Sequence, residues 1–337
     1  MIKEAMLYEK MGGNAVQCHL CAHRCKIAPS KRGICGVREN RDGALYTLVY
    51  GMVIAENVDP IEKKPLFHVH PGSRSFSIAT VGCNFRCTFC QNYDISQMPR
   101  KSGKIIGRET SPETIVERAV QSNSKTIAYT YTEPTIFFEY AYDIGRIAHE
   151  KDIKNVFVTN GFMTEEAIVK ISPCLDAANV DLKAYSNEFY KKYCGARLQP
   201  VLDTLTKMKE VGIWVEVTTL IIPTLNDSDE ELQNIAQFIH SLGAETPWHI
   251  SRFHPQFEMT NLPPTPVSTL HKAAQFGKQA GLKYVYTGNV PGDKMESTFC
   301  SHCGNLLIDR YGFHINKLNL DRATCPQCGT SLHGVFV

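Results

Sequence analysis

Thirteen cysteines stand in this chain of 337 residues, and their placement limits what it can fold into. All but Cys174 and Cys194 fall into three tight groups. An odd count so clustered does not fit a disulfide framework, whereas grouped thiols in a reducing compartment bind metal. The first group, Cys18, Cys21, Cys25 and Cys35, comes before any long strand–helix pattern. Cys83, Cys87 and Cys90 open that pattern, and Cys300, Cys303, Cys325 and Cys328 follow its end. The expected organisation is a Cys-rich metal-binding module over 1–45, an α/β barrel over 46–297 and a ribbon module over 298–337. Its nearest approach to a linker is PGDKMEST, residues 291–298.

Hydrophobic residues make up 43% and charged residues 21%, the balance of a globular chain. A net charge of +2 argues against a broad nucleic-acid or membrane footprint. Neither an apolar run of transmembrane length nor a charged-then-apolar leader is evident, so a cytoplasmic protein is expected. The opening MIKEAMLYEKMGG reads as a short helix.

Between residues 75 and 290, β-rich runs alternate with helical patterns: SFSIATVG, TIAYTY, NVFVTN, DAANVDL, IWVEVTTLIIP, PWHISRFH and YVYTG. Ser111-Pro112 reads as an N-cap with proline at the first helical position, and Ser228 with Glu231 as a capping box. Leu232, Ile235, Ala236, Ile239 and Leu242 then give one buried helix face. Such alternation predicts a parallel sheet covered by helices. Seven strands suit a partial (β/α) barrel; a doubly wound sheet is the alternative, but no glycine-rich fingerprint follows the first strand. Catalytic groups in these folds sit where strands end. Here the strands run into Cys83, then Thr132 and Glu133, then Asn160, then Asp181 and Lys183. The fifth carries Thr218 and Thr219, the sixth ends at Arg252 and His254, and the seventh at Asn289.

Cys83, Cys87 and Cys90 form C-x3-C-x2-C within CNFRCTFC. Three thiolates on one loop can bind three irons of a 4Fe–4S cluster and leave the fourth iron open. An open iron can chelate the amino and carboxylate groups of S-adenosylmethionine (SAM), and Phe89 is placed to pack against its adenine. Structural zinc would need a fourth ligand that the loop does not supply.

The segment PGSRSFSIATVGCNFRCTFCQNYDIS resembles radical SAM enzymes related to the pyruvate formate-lyase activating enzyme. With YTEPT, VTNGF, DLKAY, TTLIIPTLND, WHISRFHP and YVYTGNVPG, it is similar to the radical SAM component of the AmmeMemoRadiSam system. The resemblance implies that Thr132-Glu133-Pro134 replaces a Gly-Gly-Glu-Pro segment whose carbonyls cradle the SAM amino group. It also implies that Asn160 contacts the SAM ribose or carboxylate, that Asp181 and Lys183 form an Asp-x-Lys motif, and that His254 lies close to SAM. Asn289 completes this expected SAM-binding set. Val158 stands where the activating enzymes carry an aspartate, so their cation site is not expected here.

Cys300-x2-Cys303 and Cys325-x2-Cys328 are two knuckles, each followed by glycine, with 21 residues between the pairs. Four thiolates with no open position suit structural zinc, with glycine turning the backbone to aim amides at sulfur. Cys18, Cys21, Cys25 and Cys35 suit either zinc or a second cluster. The turn at Gly36 and the unlikeness to ferredoxin spacing favour zinc. Cys194 reads as a small buried residue. The expected activity is reductive SAM cleavage followed by hydrogen abstraction from a partner protein or a small molecule, with an electron donor such as flavodoxin. The rival is a non-catalytic metal-binding adaptor.

Overall fold

A computed structural model describes residues 2–336. At its centre is an eight-stranded sheet. The strands are β1 (Ala55–Pro60), β2 (Arg74–Ala79), β3 (Ser124–Tyr129), β4 (Lys154–Thr159), β5 (Ala177–Asp181), β6 (Trp214–Ile221), β7 (Trp248–Arg252) and β8 (Val285–Gly288). Their spatial order is their sequence order, with β1 and β8 at the edges. From β2 to β8 every neighbour is parallel, and β1 alone runs antiparallel. A doubly wound sheet reverses its order at a switch point; this one does not, and with two edges it is an incomplete barrel.

The seven β-rich runs are the seven parallel strands. Buried on both faces, they read as mostly uncharged runs without a polar, solvent-facing side, as in Ser75–Ala79 of β2. β1 escaped notice because its sequence, AENVDP, lacks that signature and its valine, Val58, faces solvent. The Ser111 side chain caps Pro112–Gln121 by accepting from the Thr114 amide, and Ser228 caps Asp229–Ser241 through the Glu231 amide. The second cap is not a reciprocal box, because the Glu231 carboxylate instead accepts from the Tyr185 amide.

The opening segment is not helical. Lys3–Glu4 pairs with Ala44–Thr47, Tyr8–Lys10 pairs with Val16–Cys18, and Leu7 between them has φ 57°, which no right-handed helix accepts. Arg38–Arg41 and Ala44–Thr47 form a hairpin. Residues 291–298 are structured too, since the buried Glu296 carboxylate accepts from the Gly292 and Gly312 amides. Among the described residues no helix is long and apolar enough to cross a membrane.

The two outer modules take opposite ends of the sheet. Residues 19–23 meet the loop after β4, where the Ala22 amide donates to Phe162 O and Thr164 Oγ1 to His19 O. The C-terminal segment packs Cys300, Leu307, Cys325 and Leu332 on Phe67, Tyr284 and Tyr286, at the start of β8. Under it, fully buried Glu216 accepts from the Phe67 and His68 amides at 3.0 and 2.9 Å, from Trp214 Nε1 at 3.2 Å and from His249 Nε2 at 2.6 Å. Glu216→Ala strands all four donors, so it should lower unfolding stability in urea by about 3 kcal/mol or more. A loss under about 1 kcal/mol would mean that solvent or neighbours replace the carboxylate.

Candidate metal centres

Gly82 leads β2 into the cysteine loop with φ 107°, and a Cβ there would come within 2.7 Å of Val37, so close packing against the N-terminal module needs glycine. Cys87 is buried, and Cys83 and Cys90 are partly buried. Burial, reinforced by the Glu133 carboxylate, holds the Cys83 thiol well above its ordinary value. Burial also raises Cys90, against a hydrogen bond to Ser96 Oγ at 3.3 Å. Cys87 is pulled down, first by a hydrogen bond from the Cys194 thiol and then, against burial, by the Lys183 charge.

The polar residues expected at the strand ends gather round this loop. The Glu133 carboxylate accepts from the Thr135 amide at 3.0 Å, Thr135 Oγ1 at 2.5 Å, Thr159 Oγ1 at 2.7 Å and the Asn160 amide at 2.8 Å. Its charge is therefore spent inside the protein, and burial raises its pKa despite these bonds. Asn160 Nδ2 donates to Asn84 Oδ1 at 2.8 Å and lies 3.8 Å from Cys83 Sγ. Thr132 Oγ1 is tied to Thr80 O at 2.7 Å. Lys183 Nζ pairs with Asp181 at 2.8 Å and stands 5.8 Å from the centroid of the buried Phe89 ring. Burial opposes its charge, but Asp181, Cys87 and Cys194 outweigh that and raise its pKa well above the usual lysine value.

Other expected residues lie farther out. His254 is exposed, and exposed Asn289 donates to Ser251 Oγ and Arg252 O. Thr218 and Thr219 sit within β6 rather than at its end, and Thr219 accepts from Trp248 Nε1. Asn84, Ser96 and Cys194 were not foreseen as neighbours of the loop. Cys194 ends a π-helical turn far along the chain, and nothing local in KKYCGAR marks it as facing Cys87.

The C-terminal quartet has the compactness a single ion demands. Cys300 and Cys328 sulfurs are 3.6 Å apart, as are those of Cys303 and Cys325. Four thiolates about 2.3 Å from one tetrahedral zinc lie about 3.8 Å from each other. Gly304 and Gly329 take the left-handed conformation expected of them, but their amides donate to the Cys300 and Cys325 carbonyls rather than to sulfur. Among the described residues this is the one group whose three or more ligand atoms all lie within 4.8 Å. The sulfurs of Cys83, Cys87 and Cys90 are therefore spread more widely, as are those of Cys18, Cys21, Cys25 and Cys35. For the N-terminal four, one tetrahedral ion would need a tighter spacing than the sulfurs have here.

Residues 77–239 match the family model described as the Radical SAM superfamily. The chain is 49% identical over 334 residues to an uncharacterized protein of Methanocaldococcus jannaschii, spanning 98% of this chain and 99% of that one. It is 24% identical over 180 residues to a pyruvate formate-lyase-activating enzyme of Clostridium pasteurianum, which covers 51% of this chain and 71% of that enzyme. A solved structure of a radical SAM methyltransferase from Sphaerobacter thermophilus superposes with TM-score 0.52 at 16% identity, over 70% of this chain and 71% of that one, a likeness of fold.

Metal analysis should find about one zinc per chain that survives iron chelation. Cys325→Ala should release it and make residues 298–337 sensitive to protease, since the segment has only a small apolar core of its own. Protease resistance without metal would overturn the zinc assignment.

Proposed function

We propose that this chain, which belongs to the radical SAM superfamily, is an oxidoreductase that cleaves SAM at a 4Fe–4S cluster held by Cys83, Cys87 and Cys90. Such a cluster, when bound, supplies one electron to the sulfonium, giving methionine and a 5′-deoxyadenosyl radical that abstracts hydrogen from a protein or small-molecule substrate. One observation carries the reading. Three partly or fully buried thiols share one loop at the end of the first parallel strand, with sulfurs too dispersed for a common ion. Each can take its own iron, and the loop offers no fourth cysteine to close the remaining one.

The chain's own residues then bind and orient. Thr132 and Glu133 shape the backbone that would receive the SAM amino group, with the Glu133 carboxylate fixing the shape from inside. Asn160, anchored through Asn84, faces the ribose or carboxylate. The ammonium of Lys183, held by Asp181, keeps a fixed positive charge beside Cys87, and Phe89 next to it offers a face to the adenine. His254 and Asn289, exposed beyond the ends of β7 and β8, form the outer rim of the SAM site.

In this reading residues 1–45 are a Cys-rich metal-binding module, 46–297 the barrel and 298–337 a zinc ribbon. The quoted motifs resemble those of the AmmeMemoRadiSam radical SAM group, which supports placing the chain there. Its likeness to an activating enzyme supports a protein as substrate. A flavodoxin-type donor and a cytoplasmic setting suit such chemistry.

Anaerobic protein given dithionite or reduced flavodoxin should accumulate 5′-deoxyadenosine and methionine. Lys183→Ala should slow this roughly tenfold or more with iron content unchanged, because the residue orients SAM and does not hold iron. A preparation with a full, reducible cluster that binds SAM but never yields 5′-deoxyadenosine, even with partner proteins present, would instead mark a binding adaptor.

A further inference from the structure

Cys18, Cys21, Cys25 and Cys35 all line one partly enclosed pocket. Leu20, Ile27, Ile34 and Ile136 supply much of the remaining wall, so water has little polar surface to hold. The interleaved histidines do not complete a compact mixed donor set, because no three His, Cys, Asp or Glu ligand atoms here all lie within 4.8 Å of one another. The donors are thus four thiols, set wider than one ion permits. A group that gives each sulfur its own metal atom satisfies both facts.

Charge is provided for as well. Arg38, almost wholly buried, donates from Nη1 to Cys18 Sγ at 3.2 Å and pairs with buried Glu139. A buried guanidinium on a ligand sulfur offsets the negative charge of four thiolates.

The module is also stitched to the barrel's cysteine loop. Arg100 Nη2 donates to Ile34 O at 3.1 Å and to Cys83 O at 3.3 Å, joining the residue before Cys35 to a barrel thiol's own backbone. The His23 bond to Asn84 O makes a second link, one residue beyond Cys83.

We infer that Cys18, Cys21, Cys25 and Cys35 hold a second 4Fe–4S cluster, and that Arg100 and His23 couple it to the barrel loop as an electron relay. A low-potential one-electron donor, such as reduced flavodoxin, is oxidised by one electron. That electron reduces the second cluster and then passes to the barrel centre, with no bond made or broken and the second cluster reoxidised. The metal assignment stands apart from the proposed SAM chemistry; the relay rests on it.

The full chain, reconstituted anaerobically with iron, sulfide and zinc, should carry about eight irons and about one zinc. About four irons and two zincs would overturn the assignment without recourse to any variant. The triple variant Cys83→Ala, Cys87→Ala, Cys90→Ala should keep about four irons and, once reduced, a paramagnetic signal indifferent to SAM. Because this variant lacks the barrel ligands, its result does not depend on SAM cleavage; a variant stripped of iron would refute the second cluster. In Cys21→Ala, Cys25→Ala, the SAM-responsive signal should still form with dithionite but appear at least tenfold more slowly with reduced flavodoxin. Equal rates with flavodoxin in variant and parent would overturn the relay.

Discussion

The buried carboxylate of Glu133 sets the geometry on which the rest of the candidate site depends. It takes hydrogen bonds from the segment leaving β3 and from the end of β4, so two strand exits are locked to one anion. The backbone of Asn160 is fixed by that bond, its side chain then fixes Asn84, and Asn84 adjoins Cys83. Burial makes the charge costly and pushes the carboxyl's pKa up, and four donors offset the cost. A carboxylate so engaged cannot serve a ligand directly. Its work is to hold backbone in place.

From that frame the two ends of the sheet acquire different characters. At the strand exits, the N-terminal module lies against the cysteine loop, joined to it through His23 and Arg100 and packed against Gly82. At the opposite end, the C-terminal quartet rests over Glu216, His68 and Tyr286, a buried polar network that pins the ribbon to the barrel. A ribbon so placed is remote from the strand exits, so its proximity gives no reason to make it the docking surface for a substrate at that end. The N-terminal module is the one that borders the cysteine loop.

Much of this was legible in the amino-acid sequence because parallel strands buried on both faces announce themselves as mostly uncharged runs that end in polar residues. The caps at Ser111 and Ser228 were legible for a similar reason, since a side chain bonding three residues on is a local event. What escaped was decided by distant partners. The strands near Lys3 and Tyr8 exist because of pairing with Ala44–Thr47 and Val16–Cys18, and short polar segments carry no period that foretells it. Glu231 bonds Tyr185 instead of its own cap, and Cys194 meets Cys87 across more than a hundred residues. The spacing of the N-terminal cysteines allowed zinc or a cluster, and their separation in space is a fact that no sequence spacing carries.

The most direct test of the account is whether one iron at Cys83, Cys87 and Cys90 lacks a protein ligand. Mössbauer spectra of the chain loaded with the 57Fe isotope should change on addition of SAM at a single iron site of the barrel cluster, the other irons keeping their parameters. Spectra identical with and without SAM, with every iron equivalent, would mean that the cluster is closed and that this chain does not use it to cleave SAM.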